Sequence, residues 1–384
     1  MTDVQMGVHL WPNRMMRPQD AVPFAQMLEA SGVIDWFQTW DQLVSFYPQG
    51  LWRPDVTSMA TLSPDCDSYY NAATVATLAA AGTGKLNVTT TIDAVRIGPA
   101  ELLQTMLTLA AAAGGRASVQ IGAGELKQCK PFGYKRSQGL ARMEDMFAII
   151  RKLLDTDGLV SHEGNHWTYK DAWIGTYRSA TPEFWALGGG PKLIEIAAKY
   201  ADGFVSLVPS AFANPEGWAG QVAQLKQEIE RHGRDPENFT FGLWPMVLCW
   251  DDDDEAEMIL SNPLVKWMAA VFGRLAHGDW KDEGLDLIFA PDFHYAMKLL
   301  PHSMSRAEVD DIVSRVPREM VEKSFFHGTP KEVAEQIRPY AEAGANFLAP
   351  ADNGLGAVPP DGQTRAVARM IEIAAHIKGM PLPR

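Results

Sequence analysis

Eight short apolar runs punctuate the chain, at residues 6–11, 35–40, 86–92, 117–123, 184–187, 203–208, 239–250 and 346–350. Longer segments with helical spacing of their apolar residues alternate with them, at 18–30, 69–81, 99–113, 140–154, 192–200, 218–232, 331–343 and 364–377. Near-continuous apolar strands separated by helices call for a parallel sheet covered by helices, because strands of that kind have no face to give to water. Eight such units in one chain predict a closed (β/α)8 TIM barrel, with a doubly wound open sheet as the alternative. A chain of 384 residues, 46% of them hydrophobic, has material for one large core, so residues 1–384 read as a single α/β domain. The alternation breaks at 251–326, which opens on four consecutive aspartates and continues as a helical, Trp- and Met-containing stretch. That stretch reads as an insertion after strand 7. Residues 159–173 predict a small hairpin turning at Glu163, Gly164 and Asn165.

Charge and cysteine usage narrow the partners. The net charge is −13 and no dense Lys/Arg patch is present, which argues against nucleic acid and against an anionic membrane surface. The N-terminus lacks a basic stretch followed by an apolar one, and no run approaches 18 apolar residues, so neither a signal peptide nor a membrane span is expected. Cys66, Cys129 and Cys249 are too widely spaced for a disulfide framework or a metal knuckle. Reduced thiols in a cytoplasmic protein are the expectation. His277, His294 and His302 lack helical metal-ligand spacing, and no metal is expected.

In a barrel of this kind the chemistry sits on the loops after the strands. Gly188, Gly189, Gly190 and Pro191 join the fifth run to a helix; free amides there offer an anion site, or form only a tight turn. Gly124 clears space beside Glu125 after the fourth run. Glu125 can act as a general acid, or be tied in a salt bridge to Lys127 or Lys130. Asp41 and Gln42 follow the second run, where a carboxylate can orient a ring or simply cap the loop. His9 ends the first run, as a base or as a hydrogen-bonded core residue. The aromatic stretch Trp36, Phe37, Trp40, Phe46, Tyr47 and Trp52 can wall an apolar substrate pocket.

The ordered set Thr39-Trp40-Asp41-Gln42, Val88-Thr89-Thr90-Thr91-Ile92-Asp93, Ile121-Gly122-Ala123-Gly124-Glu125, Phe184 to Pro191, Ala197 to Phe204 and Phe326 to Val333 resembles the luciferase-like F420-dependent oxidoreductases. The likeness runs over nearly the whole chain. It is nearest to phthiodiolone ketoreductase-like members, then to F420-dependent glucose-6-phosphate dehydrogenase-like ones. The resemblance implies a barrel whose mouth holds the deazaflavin coenzyme F420, with FMN as the alternative, and a homodimer acting on a small-molecule substrate. By position it implies that Asp41 touches the ring and that Thr90 and Thr91 form a non-proline cis peptide behind it. It further implies that Gly188 to Pro191 hold phosphate and that Glu125, beside Gly124, is an acid near the reacting centre. Two departures stand out. Gln42 occupies the place where dehydrogenases of the family carry a histidine base, which counts against alcohol oxidation by that route, leaves reduction of a ketone or activated alkene feasible and leaves His9 as a substitute base. Val208-Pro209-Ser210 carries no lysine, which disfavours a sugar phosphate. A monooxygenase using FMN and oxygen, and a coenzyme carrier without turnover, are the rival readings.

Overall fold

The computed structural model describes residues 4–382. Eight strands form the barrel: β1 (Gln5–Leu10), β2 (Trp36–Thr39), β3 (Asn87–Asp93), β4 (Ala117–Gly122), β5 (Glu183–Leu187), β6 (Gly203–Val208), β7 (Thr240–Cys249) and β8 (Phe347–Leu348). Each pairs in parallel with the next, and β8 pairs with both β7 and β1, closing the ring. The doubly wound alternative is excluded. The predicted strand limits lie within a residue or so, except at β8, where pairing lapses beyond Leu348 and resumes as Ala351–Asp352 against Met246 and Val247.

Alternation along each strand divides the core in two. Outward side chains such as Phe37, Val88, Val119, Phe184, Phe204 and Leu243 pack under the surrounding helices. Burying each contributes about 1.5–3 kcal/mol. Inward side chains plug the barrel. Trp36, Trp185 and Phe347 meet with ring centroids 5.0–5.8 Å apart. Above them Gln120 Nε2 donates to Gln38 Oε1 at 3.0 Å and to Thr89 Oγ1 at 3.3 Å, tying three strands together, while Gln38 Nε2 and Gln120 Oε1 have no partner among the described residues. The plug separates the C-terminal mouth from a smaller hollow at the opposite end, lined by Gln5, Trp36, Asn87 and Glu183.

Helix starts follow the sequence signals. Asn71 caps Ala72–Ala81, and Pro191 stands at the first turn of Pro191–Tyr200. The last helix begins at Pro360, ahead of its predicted start, because proline suits a first turn. The hairpin forms from Val160–Glu163 and Thr168–Ala172.

The stretch after β7 folds as helices Asp253–Ser261, Pro263–Phe272, Arg306–Arg315 and Arg318–Ser324 with shorter turns between. It leaves the barrel at the end of β7 and returns as Phe326–Gly328, paired with Val247 to Cys249 of the same strand. The Trp250 amide donates to Gly328 O at 3.2 Å, pinning departure to return. Trp267 Nε1 donates to Phe46 O and Asn262 Nδ2 to Val56 O, both at 2.9 Å, which fastens these helices over the long loop after β2. Among the described residues no helix is long and apolar enough to cross a membrane.

Candidate active site

A cavity of about 620 Å³ opens at the C-terminal ends of the strands. This size falls within the roughly 300–1,000 Å³ usual for small-molecule sites. Trp40, Asp41 and Gln42 after β2, Thr91 and Asp93 of β3, and Gly122 to Glu125 after β4 form one side. Gly188 to Pro191 after β5 form the end. Leu207, Trp244 and Met246 from β6 and β7, with Met268, Phe272, Leu275, His294 and Tyr295 from the insertion, complete it.

The polar side is a lattice of ion pairs. Asp41 pairs with Arg96, and Arg96 Nε also lies 3.3 Å from Asp93 Oδ2. Glu125 Oε2 lies 2.9 Å from Lys127 Nζ. Lys127 is 1% exposed; its ammonium also donates to Gln42 Oε1 at 2.7 Å and Val44 O at 2.6 Å, and sits 3.8 Å above the Phe46 ring. Gln128 Nε2 donates to Asp41 O at 3.1 Å while its Oε1 accepts from the Leu43 amide at 2.5 Å. The short helix Leu126–Cys129 therefore clamps the loop that carries Asp41 and Gln42.

Lysine offers donors only, so the Gln42 amide must turn its oxygen toward Lys127. Its NH2, without a protein partner among the described residues, is left for an occupant of the cavity.

Burial shifts these groups. It raises the Asp93 carboxyl to about 7, helped by the charges of Glu125 and Asp41 and opposed by Arg96. It raises Asp41 too, against the pull of Arg96, and lowers Lys127, against the pull of Glu125. Asp93 and Asp41 thus hold a proton more readily than a solvated carboxylate does.

Gly124 has φ +92°, and a Cβ there would meet Val95 Cγ2 at 2.8 Å and Cys129 Sγ at 3.2 Å, so glycine is required for β4 to turn into the clamp. At the other end Gly190 has φ +93°, and a Cβ on Gly189 or Gly190 would project into open space. Their amides have no partner among the described residues, and they face the start of a helix with proline in its first turn. An anionic group fits such a cradle.

Several expectations change. The Thr90–Thr91 peptide is trans; the cis bond is Val208–Pro209, where proline makes that form far less costly. Thr90 does not reach the mouth. It is buried with its hydroxyl 3.1 Å from that of Thr39, because strand alternation turns it outward; Thr91 faces in, and its hydroxyl accepts from the Asp41 amide at 2.9 Å. His9 lies below the cavity. Its Nδ1 accepts from Trp40 Nε1 at 2.5 Å and its Nε2 bonds Ala349 O at 2.8 Å. Burial lowers it to about 4. With both nitrogens engaged and the ring neutral, His9 is a fixed support for Trp40 and not a base. Glu125 takes the salt-bridged alternative, with Lys127 as its partner. Of the aromatic stretch only Trp40 and Phe46 line the cavity; Trp36 plugs the barrel, Phe37 faces the helices, and Tyr47 and Trp52 pack beneath the insertion.

Arg96 and Arg136 are site residues that the sequence does not mark, and Lys127 enters there only as a partner for Glu125. For Arg96 and Lys127 the signal is spacing: Asp93-x-x-Arg96 and Glu125-x-Lys127 put opposite charges within reach just past two strand ends; Arg136 carries no such signal.

The family described as luciferase-like monooxygenase matches residues 49–346. A phthiodiolone/phenolphthiodiolone dimycocerosates ketoreductase of Mycobacterium kansasii is 28% identical over 347 residues, covering 88% of this chain and 92% of that protein. An F420-dependent secondary alcohol dehydrogenase, solved with an F420-acetone adduct, superposes with TM-score 0.71 at 20% identity, over 100% of this chain and 99% of that one. A long-chain alkane monooxygenase superposes with TM-score 0.65 at 16% identity, over 99% and 92%. At these identities the two superpositions establish the shared barrel alone. The match of the family over most of the chain establishes more: this protein belongs to the luciferase-like monooxygenase family.

Proposed function

We propose that this oxidoreductase moves a hydride between coenzyme F420 and a small organic carbonyl compound, working as a reductase of ketones. The observation that carries the reading is the orientation of Gln42. Lys127 holds its oxygen at 2.7 Å and leaves its NH2 as a donor. A ketone oxygen accepts such a bond, and the bond strengthens as charge develops there during reduction. A glutamine cannot take a proton from an alcohol at neutral pH. The ketoreductase relative supports the same direction.

The mouth fits a coenzyme with a flat ring and a phosphate tail. Trp40, Leu187 and Leu207 offer apolar surface, and the unpartnered amides of Gly189 and Gly190 offer an anion cradle. Asp41 and Thr91 would border the ring, and Gly188 to Pro191 would hold the phosphate. When bound, the coenzyme supplies the hydride. The protein's own part is the proton. Lys127, its ammonium made more acidic by burial, stands 2.9 Å from Glu125, which faces the cavity. A proton passing from Nζ through Glu125 to the new alkoxide completes the alcohol. Asp93, Asp41 and Arg96 hold the remaining charge on the β2–β3 side.

Titration of the apoprotein with F420 and separately with FMN, followed by coenzyme fluorescence, tests the cofactor. Tighter F420 binding followed by oxidation of reduced F420 on adding a ketone is the expected result. Tighter FMN binding with oxygen uptake overturns it in favour of a monooxygenase, a chemistry that the same barrel carries in the alkane monooxygenase.

A further inference from the structure

Arg136 stands apart from the other cations of the mouth. Arg96 lies between Asp41 and Asp93, and Lys127 between Glu125 and Gln42. Arg136, in the turn after the clamp helix, lines the cavity yet makes no ion pair among the described residues. Its Nε is shut off from solvent and has no acceptor. A charged donor in that state is unfavourable, and an arriving acceptor relieves it.

The chain makes room for this side chain. A Cβ on Gly139 would lie 2.8 Å from Arg136 Nη1 and 1.9 Å from Ala123 O, and one on Gly124 would lie 3.7 Å from Arg136 Cδ. The guanidinium is thus seated against two glycines.

The insertion brings a second donor. His294 lines the same cavity, and its Nδ1 accepts from the Ala296 amide at 3.2 Å. Burial, and then the charge of Arg136, favour the neutral ring. With Nδ1 accepting, the hydrogen sits on Nε2. Beyond these donors the walls contributed by Met268, Phe272 and Leu275 are apolar.

We propose that Arg136 and His294 Nε2 receive an oxyanion, carboxylate or phosphate, of the molecule that fills this cavity, while its apolar part lies against the insertion. A guanidinium takes such a group through two parallel hydrogen bonds, which fixes orientation as well as charge. The oxyanion can belong to the organic substrate or to the coenzyme. The inference rests on this cavity being the ligand site, as the hydride-transfer reading does, but not on which coenzyme binds.

The test is calorimetric titration of wild type, Arg136→Gln and Arg136→Lys with two pairs of probes. One pair is decanoate and decan-2-one; the other is F420 and its phosphate-free deazaflavin chromophore. Thermal melts confirm that each variant is folded. We expect Arg136→Gln to weaken one anionic probe by about tenfold or more while its neutral counterpart is unaffected, with Arg136→Lys in between. Loss confined to decanoate places the oxyanion on the substrate, and loss confined to F420 places it on the coenzyme. Equal affinities of wild type and Arg136→Gln for both anionic probes, whether measurable or absent, overturn the proposal. If F420 does not bind wild type the hydride-transfer reading fails, and the decanoate arm still decides the role of Arg136.

Discussion

The two long sides of the mouth are built on opposite principles. The side made by β2 to β4 is a lattice of charges in which Asp41, Asp93 and Glu125 are tied to Arg96 and Lys127. The side made by β6, β7 and the insertion is largely apolar, with Leu207, Met246, Met268, Phe272 and Leu275 turned inward beside His294. A charge lattice in a low-dielectric pocket fixes geometry tightly, since moving one member strands another. An apolar wall specifies only volume and tolerates exchange. On the proposed reading the difference divides the labour, with proton handling on the barrel and substrate shape on the insertion.

Breaking the lattice has the largest expected effect. Lys127→Met strands Glu125 and frees the Gln42 amide; removal of one partner from a buried pair costs about 3–5 kcal/mol. Chemical denaturation measures that loss, and a loss below about 1 kcal/mol would mean that the lattice does not act as a unit. Next comes Gln42→Ala. Loss of a donor to the developing oxyanion lowers kcat/KM for ketone reduction by about 10²-fold. F420 affinity, read by fluorescence, stays unchanged. Gln42→His sharpens the same point by restoring a base, so the ratio of alcohol oxidation to ketone reduction should rise.

On the apolar side, Met268→Ala should leave the reaction of a short ketone alone and raise KM for a longer one by about tenfold. Steady-state rates along a series of 2-alkanones distinguish this from a general loss. The smallest effect concerns Asp93. Its folded-state value is raised to about 7, so the stability that it contributes is complete below the unfolded carboxyl range. That stability is lost as pH rises toward and through 7. Asp93→Asn should flatten the fall in stability between pH 5 and pH 8 by on the order of 1 kcal/mol, measured by urea unfolding at each pH.

The barrel was legible because its strands need apolar residues on both faces, and a run such as 203–208 advertises that need directly. The glycines at 124 and 188–190 were legible for a similar reason: a backbone that must turn beneath a ligand leaves few residue choices. The charge lattice was not. Periodicity places Asp93 at the end of β3, but it cannot reveal that Arg96, a turn later, folds back to bridge Asp93 and Asp41, which is 55 residues away from Arg96. His9 misleads for the opposite reason. A histidine at a strand end looks available, and only its two bonds, to Trp40 and Ala349, show that it is spent. Thr90 and Thr91 illustrate the resolution of strand alternation: neighbours in sequence, they face opposite sides of the sheet.

The return of the chain beside its own departure point on β7 has a consequence for how such a protein can change. Because Trp250 and Gly328 are joined across adjacent strands, the two ends of the inserted segment are held together by the barrel itself. The segment between them can lengthen, shorten or be replaced with only a slowly growing entropic cost of loop closure. The strand register need not shift, but the residues that seat the Lys127 clamp, Phe272 and Tyr295 against Phe46 and the turn Tyr295–Lys298 against Leu126–Cys129, have to be kept. If the proposed reading holds, a lineage can explore new substrates by rewriting one cassette on an inherited barrel, and an engineer can exchange the cassette at the same seam.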